Sequence, residues 1–97
     1  MRYEIIFAPQ AVEDVRNLRA HLRSAVRDEI EAHLRHAPTR VSKSRIKRLS
    51  GLARPQFRLR IGDVRVFYDV AESTVEILAV IEKSEAAEWL KREGTPE

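Results

Sequence analysis

Hydrophobic and polar residues alternate most clearly between Gln56 and Ile61. Phe57, Leu59 and Ile61 point to one side, and Arg58 and Arg60 to the other. Such alternation is typical of a strand with one buried face. Gly62 and Asp63 supply a turn, and the segment from Val64 to Val70 continues as a second strand. The pattern therefore predicts a β-hairpin.

The turn also predicts how the two strands of this hairpin pair. If Ile61 and Val64 flank the turn, Arg60 lies opposite Arg65, and Arg58 lies opposite Phe67. One face then carries only Phe57, Leu59, Ile61, Val64, Val66 and Tyr68. The opposite face, which we call the arginine face, carries Arg58, Arg60, Arg65 and Phe67. Because like charges directly opposite each other repel, we expect the arginine face to stay hydrated or to meet an anion.

A strand and two helices precede the hairpin in the predicted order. Tyr3 to Phe7 is short, β-branched and aromatic, and Pro9 suits the first turn of a helix. Apolar residues then recur at helical spacing up to Pro38. They predict helices over about 9–21 and 23–36, with a tight junction near Leu22–Ser24 and Ser24 as the cap. A single long helix stays open as an alternative, since neither Gly nor Pro marks a break.

The remaining segments complete an α+β domain. The segment 39–54 is basic, and Ile46, Leu49 and Leu52 are expected to anchor it. The stretch 75–81 is apolar on both faces, as in a central strand. Ser84 is a candidate N-cap for a short helix that Gly94 ends, with a frayed tail at 95–97. The predicted order is β-α-α-β-β-β-α: one domain over 1–97, with a helical hairpin on one face of a mostly antiparallel sheet.

Charge is concentrated in one part of the chain. Residues 40–65 hold nine basic residues and one acidic residue, a net charge of +8, whereas the whole 97-residue chain carries +3, so the rest sums to −5. A localised basic patch indicates a polyanion partner, either nucleic acid or an acidic protein segment. The chain has no cysteine, which excludes disulfides and thiol chemistry and fits a reducing cytoplasm. No apolar stretch is long enough to span a membrane.

Three motifs carry a resemblance to a known family. They are a basic "K-x-L-x-G" approach from Lys47 to Gly51, the arginine-rich hairpin from Phe57 to Val70, and the apolar strand from Val75 to Val80. Together they resemble the RelE/ParE superfamily of bacterial toxins, over nearly the whole chain. The resemblance implies a cytoplasmic toxin that a cognate antitoxin neutralises. Members similar to RelE cut mRNA on the ribosome, and members similar to ParE block DNA gyrase.

The resemblance also assigns roles to particular residues. Arg65 falls on the hairpin arginine of the family, and Arg58 falls where RelE-like enzymes carry a catalytic lysine. Lys83 falls where they carry an arginine, and Trp89 falls near their catalytic tyrosine. We therefore predict Arg58, Arg65 and Lys83 as catalytic residues. The predicted RNA-binding residues are Arg45, Lys47, Arg48, Arg60 and Trp89.

The residues that match the family can stabilise negative charge, but most of them are poorly suited to transfer a proton. RelE-type cleavage is metal-free and needs no cofactor: the ribose 2′-oxygen attacks the adjacent phosphate, and cations stabilise the phosphorane. A guanidinium stays charged, so Arg58 is a poor proton acceptor, and an indole cannot donate a phenolic proton as tyrosine does. Lys83 is then the best candidate for proton transfer. No role is assigned to Glu82 or Glu85.

Structural roles compete with several of these assignments. The arginine face could be a solvated sheet face, and the basic run 40–48 could bind rRNA, pair with an antitoxin or keep a loop soluble. Trp89 could anchor its helix, and Lys83 could merely sit beside a helix start. His33 is spaced from His36 by three residues and from Glu29 by four, as in pairs of metal ligands, but no third converging ligand is evident, so we predict a solvent-facing helix. Tyr68 is expected in the core.

Three alternative functions stay open at this point. The first is a ribosome-dependent mRNA endonuclease, and the second is a ParE-like inhibitor that binds DNA gyrase without catalysis. The third is an antitoxin-binding module with weak toxicity, whose basic patch serves only the partner.

Overall fold

A computed structural model describes all residues, 1–97. It contains three helices and seven strands. The helices are α1 (Pro9–Arg16), α2 (Ala20–Leu34) and α3 (Lys83–Glu93). The strands are β1 (Glu4–Phe7), β2 (Ile46–Arg48), β3 (Leu52–Arg54), β4 (Phe57–Ile61), β5 (Val64–Ala71), β6 (Thr74–Glu82) and β7 (Thr95–Pro96).

Five strands form one sheet in the order β1-β6-β5-β4-β2. β1 runs parallel to β6, and the other neighbours are antiparallel. The hairpin of β4 and β5 has the predicted register, with Arg60 opposite Arg65 and Arg58 opposite Phe67. The predicted α+β class and the antiparallel meander are confirmed. β3 and β7 form a separate two-stranded sheet that the sequence patterns did not predict.

The N-terminal helical region is two helices, but their junction lies earlier than predicted. α1 ends at Arg16 and α2 begins at Ala20, so Leu22 and Ser24 lie inside α2 and Ser24 is not its cap. The guanidinium of Arg23 donates hydrogen bonds to the carbonyl oxygens of Val15 (3.3 Å) and Leu18 (2.9 Å). Those bonds satisfy carbonyls that the end of a helix leaves open, which explains a break without Gly or Pro.

The main core lies between the first two helices and one face of the sheet. Its members include Val15, Val26 and Ile30 from the helices and Leu59, Val66, Tyr68 and Ile77 from the sheet. Tyr68 stacks on Phe57 with 5.5 Å between ring centroids, and its hydroxyl donates to the carbonyl oxygen of Pro38 at 2.6 Å. Burial raises the pKa of Tyr68, because the charged phenolate would lie in the core. The predicted core position of Tyr68 is confirmed.

A second, smaller core covers part of the opposite sheet face. Helix α3 packs Trp89 against Phe67, Leu78 and Ala79. Because both faces of β6 are covered, the apolar run from Val75 to Ile81 is explained. The arginine face is therefore only partly open to water, with Phe67 1% exposed.

The C-terminal segment differs from the prediction at both ends. α3 begins at Lys83, so Ser84 lies in its first turn and is not its N-cap. Gly94 ends the helix as predicted, but the next residues are not frayed, because Thr95 and Pro96 pair with β3. A Cβ at Gly94 would lie 2.5 Å from the carbonyl oxygen of Leu90, so only glycine fits this exit. No helix combines the length and the apolar character that crossing a bilayer requires.

The basic segment is more ordered than a simple loop. It contains β2, which pairs with β4, and β3, which pairs with β7. Ile46 lies in the main core, and Leu49 packs against the core formed by α3. The predicted anchoring of this segment is confirmed for these two residues.

Candidate functional site

Arg58 is the central residue of the arginine face. It lies on β4 and is half-buried. Its Nε atom is buried without any hydrogen-bond partner. Burial lowers the pKa of this guanidinium, and the nearby charges of Arg65 and Arg60 lower it further. A buried donor without a partner is costly, so this position favours an incoming acceptor.

Arg65 and Arg60 lie directly opposite each other on the two hairpin strands. Arg65 is 8% exposed, and its guanidinium donates to the carbonyl oxygens of Gly62 (2.8 Å) and Val64 (3.2 Å). Arg60 is exposed. The side chain of Arg65 is therefore fixed against the turn, whereas the side chain of Arg60 extends into solvent.

The other predicted RNA-binding residues of the basic segment divide into two groups. Lys47 lies on β2 directly opposite Arg58, so it extends the row of cations. Arg48 instead places its guanidinium 5.3 Å from the ring centroid of Phe57, and Arg45 lies 3.7 Å from the carboxylate of Glu29 on α2. The structure thus brings Lys47 and Arg60 to the arginine face, and directs Arg45 to Glu29 of α2 and Arg48 to the ring of Phe57.

Lys83 lies at the turn end of the sheet. It is the first residue of α3 and is exposed, and its backbone N–H donates to the carbonyl oxygen of Asp63 at 2.7 Å. This bond fixes the start of α3 at the hairpin turn. Ile81, two residues earlier, lies opposite Arg65, so Lys83 stands at the same end of the sheet as Arg60 and Arg65.

Trp89 lies inside the second core. It is 6% exposed, and its ring is stacked on Phe67, while the indole N–H donates to the side-chain oxygen of Gln10 at 3.3 Å. With α3 in this position, the ring offers no open face for a nucleotide base. The predicted contact of Trp89 with RNA stays a prediction, and it requires α3 to move away.

The geometry favours anion binding over acid–base chemistry. Register places Arg58 between Lys47 and Phe67. The adjacent cations Lys47 and Arg58 can hold a phosphate and stabilise extra negative charge on it. The two residues directly opposite Arg58, Lys47 and Phe67, are neither histidine nor carboxylate, and a carboxylate on this side of β5 comes only two residues further on, at Asp69. Candidates for proton transfer are therefore Lys83, Lys47, Asp69 and groups of the bound partner.

Sequence patterns missed the position of Lys47 beside Arg58. β2 has only three residues, too few for an alternation to stand out. The one available signal was Ile46, an apolar residue among basic neighbours, which fixes the face on which Lys47 lies. The structure contains no group of three or more histidines and carboxylates that could hold a metal. Instead, His33 Nε2 lies 2.8 Å from a carboxylate oxygen of Glu29.

A match to a family model identifies the proteins to which this chain is related. The model of the ParE toxin of type II toxin–antitoxin systems (parDE) matches residues 5–87. The chain belongs to the ParE toxin family. The match runs from β1 into α3, so it covers the main core and the whole arginine face. A search of curated proteins found no match.

Solved structures extend the relationship to RelE proteins. The toxin is similar to a chain of the RelBE2 toxin–antitoxin complex from Mycobacterium tuberculosis, with 28% identity, a TM-score of 0.66, and 84% of this chain and 92% of that chain covered. It is similar to a chain of the archaeal RelE–RelB complex from Pyrococcus horikoshii, with 25% identity, a TM-score of 0.64, and 86% and 97% covered. A doubly substituted E. coli RelE in the free state shares the fold, with 23% identity, a TM-score of 0.69, and 94% and 93% covered.

These relationships confirm that the protein is a RelE/ParE superfamily toxin of a type II toxin–antitoxin system. They leave the choice between RNA cleavage and gyrase inhibition to the chemistry of the site, because one fold serves both.

Proposed function

We propose that this toxin is a ribosome-dependent mRNA endonuclease. The observation that carries the proposal is Arg58, whose buried Nε has no partner and whose neighbours Arg60, Arg65 and Lys47 are all cationic. A phosphate of the message would supply the missing acceptor. It would also offset the burial and the repulsion from Arg65 and Arg60 that together lower the pKa of the Arg58 guanidinium.

Cleavage in this site would use the message's own ribose. The 2′-oxygen forms a bond to the adjacent phosphorus, the bond from phosphorus to the 5′-oxygen breaks, and the products are a 2′,3′-cyclic phosphate and a 5′-hydroxyl. The 2′-hydroxyl loses a proton and the leaving 5′-oxygen gains one. Arg58 and Arg60 would hold the phosphorane, because their positive charges interact more strongly with the extra negative charge of the transition state than with the phosphate of the ground state.

Two lysines compete for the proton-transfer role. Lys83 is exposed at the turn end of the sheet, and Lys47 lies directly opposite Arg58. Because neither is hydrogen-bonded to a carboxylate in the structure, both ammonium groups are available to a leaving oxygen. Groups of the ribosome would complete the acid–base set, which explains why the reaction would require the ribosome.

An antitoxin is the second expected partner. The M. tuberculosis and P. horikoshii structures are complexes of a toxin with its antitoxin. By analogy, we expect a cognate antitoxin to neutralise this toxin in the cytoplasm by covering or distorting the basic segment. Its acidic residues would pair with the +8 segment, residues 40–65.

Gyrase inhibition is the second candidate function, and the family match favours it. The matching model describes ParE toxins, and neither residue directly opposite Arg58, Lys47 or Phe67, is a histidine, tyrosine or carboxylate. A protein that only binds would need no such group. In this case the row of cations would serve as a docking surface for gyrase or its DNA.

A translation reaction separates the two candidates. Purified toxin is added to a reconstituted translation system with a defined message, and primer extension maps the ends of the message. The endonuclease predicts breaks at the codon in the A site, only when ribosomes are present. An intact message together with inhibited supercoiling by purified gyrase would support the second candidate instead.

A further inference from the structure

One edge of the central sheet is open over its last few residues. β1 covers β6 only from Thr74 to Ile77, and the backbone N–H of Ala8 then bonds to the carbonyl oxygen of Ile77. Beyond this point the chain turns into α1, while β6 continues to Glu82. The other edge of β6 is paired with β5 from Thr74 to Glu82, apart from a register shift that leaves Leu78 without a partner. The segment Leu78–Glu82 therefore lacks a partner strand on the β1 side.

Asp14 shows which backbone groups face this open edge. Its carboxylate accepts the backbone N–H of Val80 at 2.9 Å, taking the place of a strand partner. Because the backbone groups of alternate residues in a strand point to the same side, the carbonyl of Val80 and the N–H of Glu82 face the same edge. These two groups are spaced to bond one residue of an added parallel strand, in line with β1.

The open edge forms the floor of a cleft between α1 and α3. The cleft has a volume of about 550 Å³, and Trp89 lies in its wall. Its charged lining is mostly acidic, with Asp14, Glu82, Glu85 and Glu88 against the single cation Arg92. None of the ion pairs in the structure involves Glu82, Glu85 or Glu88, and Arg92 is turned to Glu93 at 3.4 Å. We call this feature the acidic cleft.

We propose that the acidic cleft binds an extended, basic segment of a partner protein, which adds a strand to the open edge of β6. Unpaired strand edges readily accept another chain, and backbone bonds of this kind give affinity without a specific sequence. The carboxylates of the cleft set the charge of the occupant, because lysine or arginine side chains that flank the added strand would meet them. The stacked rings of Phe67 and Trp89 separate the cleft from the arginine face, so one toxin could hold a basic segment and an anionic partner together.

Charge decides between this occupant and the alternatives. An acidic segment would face at least three unpaired carboxylates, and a nucleic acid would be repelled by the same groups. A purely apolar helix would leave the carbonyl of Val80 and the N–H of Glu82 unpaired as it covered them. A basic strand satisfies both the backbone groups and the carboxylates.

The test uses a synthetic peptide with four alternating lysine–valine pairs, blocked at both ends. Binding to the full toxin is followed by the fluorescence of Trp89, the only tryptophan, and by the amide NMR signals of the toxin. We expect the largest shifts at Val80, Ile81 and Glu82, with protection of the Glu82 N–H from exchange. A peptide with glutamate in place of lysine should not bind, and N-methylation of alternate peptide amides should abolish binding.

Matched variants separate the cleft from general charge attraction. Glu85→Gln together with Glu88→Gln should weaken binding roughly three- to tenfold, since exposed ion pairs are individually weak. Glu4→Gln together with Asp28→Asn removes the same charge elsewhere on the surface and should leave binding unchanged. Equal weakening by both pairs, binding of the glutamate peptide, or shifts spread away from β6 would overturn the proposal. Self-association of the toxin that protects Glu82 without peptide would do so as well. Neither result depends on RNA cleavage, so the proposed function is tested separately.

Discussion

Phe67 and Trp89 stack on each other with ring centroids 5.1 Å apart and planes 11° apart. Phe67 is the one apolar residue of the arginine face, and Trp89 is the only buried residue of α3. The stack therefore fixes α3 over part of the face that carries Arg58. The same indole closes one wall of the acidic cleft. One pair of rings thus separates a cationic surface from an anionic one.

Removal of this stack should destabilise the toxin strongly. Trp89→Ala deletes a large buried side chain, and such changes cost about 3–5 kcal/mol of unfolding free energy. Trp89→Phe keeps an aromatic ring against Phe67 but loses the hydrogen bond to Gln10, so its cost should be smaller. Urea unfolding followed by circular dichroism measures both. An unchanged stability in Trp89→Ala would show that α3 does not depend on this contact.

The buried hydroxyl of Tyr68 should give stability a dependence on alkaline pH. Burial raises the pKa of Tyr68 above its ordinary value of 10.0. The unfolded chain therefore loses this proton first, and stability should fall as the pH rises above about 10. Tyr68→Phe should flatten that fall.

Tyr68→Phe should also lower stability at neutral pH by roughly 1–2 kcal/mol, since the carbonyl of Pro38 loses its donor. Tyr3→Phe is the matched control, because the Tyr3 hydroxyl makes no hydrogen bond in the structure, and it should change neither value. Thermal unfolding at a series of pH values tests both residues. An alkaline fall of the same steepness in Tyr68→Phe would contradict the assignment.

Arg23 should matter more than its surface position suggests. It bonds to the carbonyls of Val15 and Leu18 at the junction of α1 and α2. Arg23→Leu should cost about 1–2 kcal/mol, because the carbonyl of Leu18 loses its side-chain donor and that of Val15 keeps only the backbone N–H of Leu18. Arg27→Leu, one turn further along α2, removes the same charge from a side chain without such bonds and should cost little. Equal stabilities of the two variants in urea would argue against this account of the junction.

Local sequence patterns were enough to predict the hairpin. The alternation of Phe57, Leu59 and Ile61 and the turn at Gly62 fix the register, because both act over a few neighbouring residues. The arginine face followed from that register. The position of the helix junction did not, since the bonds that stabilise it come from Arg23, several residues away.

The cover over the arginine face depends on contacts between distant parts of the chain. Phe67 was placed on this face by its register, and an apolar residue among arginines was a sign that something packs there. Which element covers it depends on how α3 folds back, and the paired strands β3 and β7, which lie before and after α3 in the chain, are too short to be recognised from pattern. The position of Lys47 beside Arg58 was missed for the same reason.

The central claim is that Arg58 acts on a phosphate, and one comparison tests it most directly. Cleavage at the A-site codon is measured in reconstituted translation for the parent toxin, Arg58→Ala and Arg27→Ala, each checked for folding by thermal unfolding. If Arg58 stabilises the phosphorane, Arg58→Ala should cleave about 100- to 1,000-fold more slowly. Arg27→Ala, which removes a charge from α2, should match the parent. Parental cleavage by a folded Arg58→Ala toxin would contradict the account.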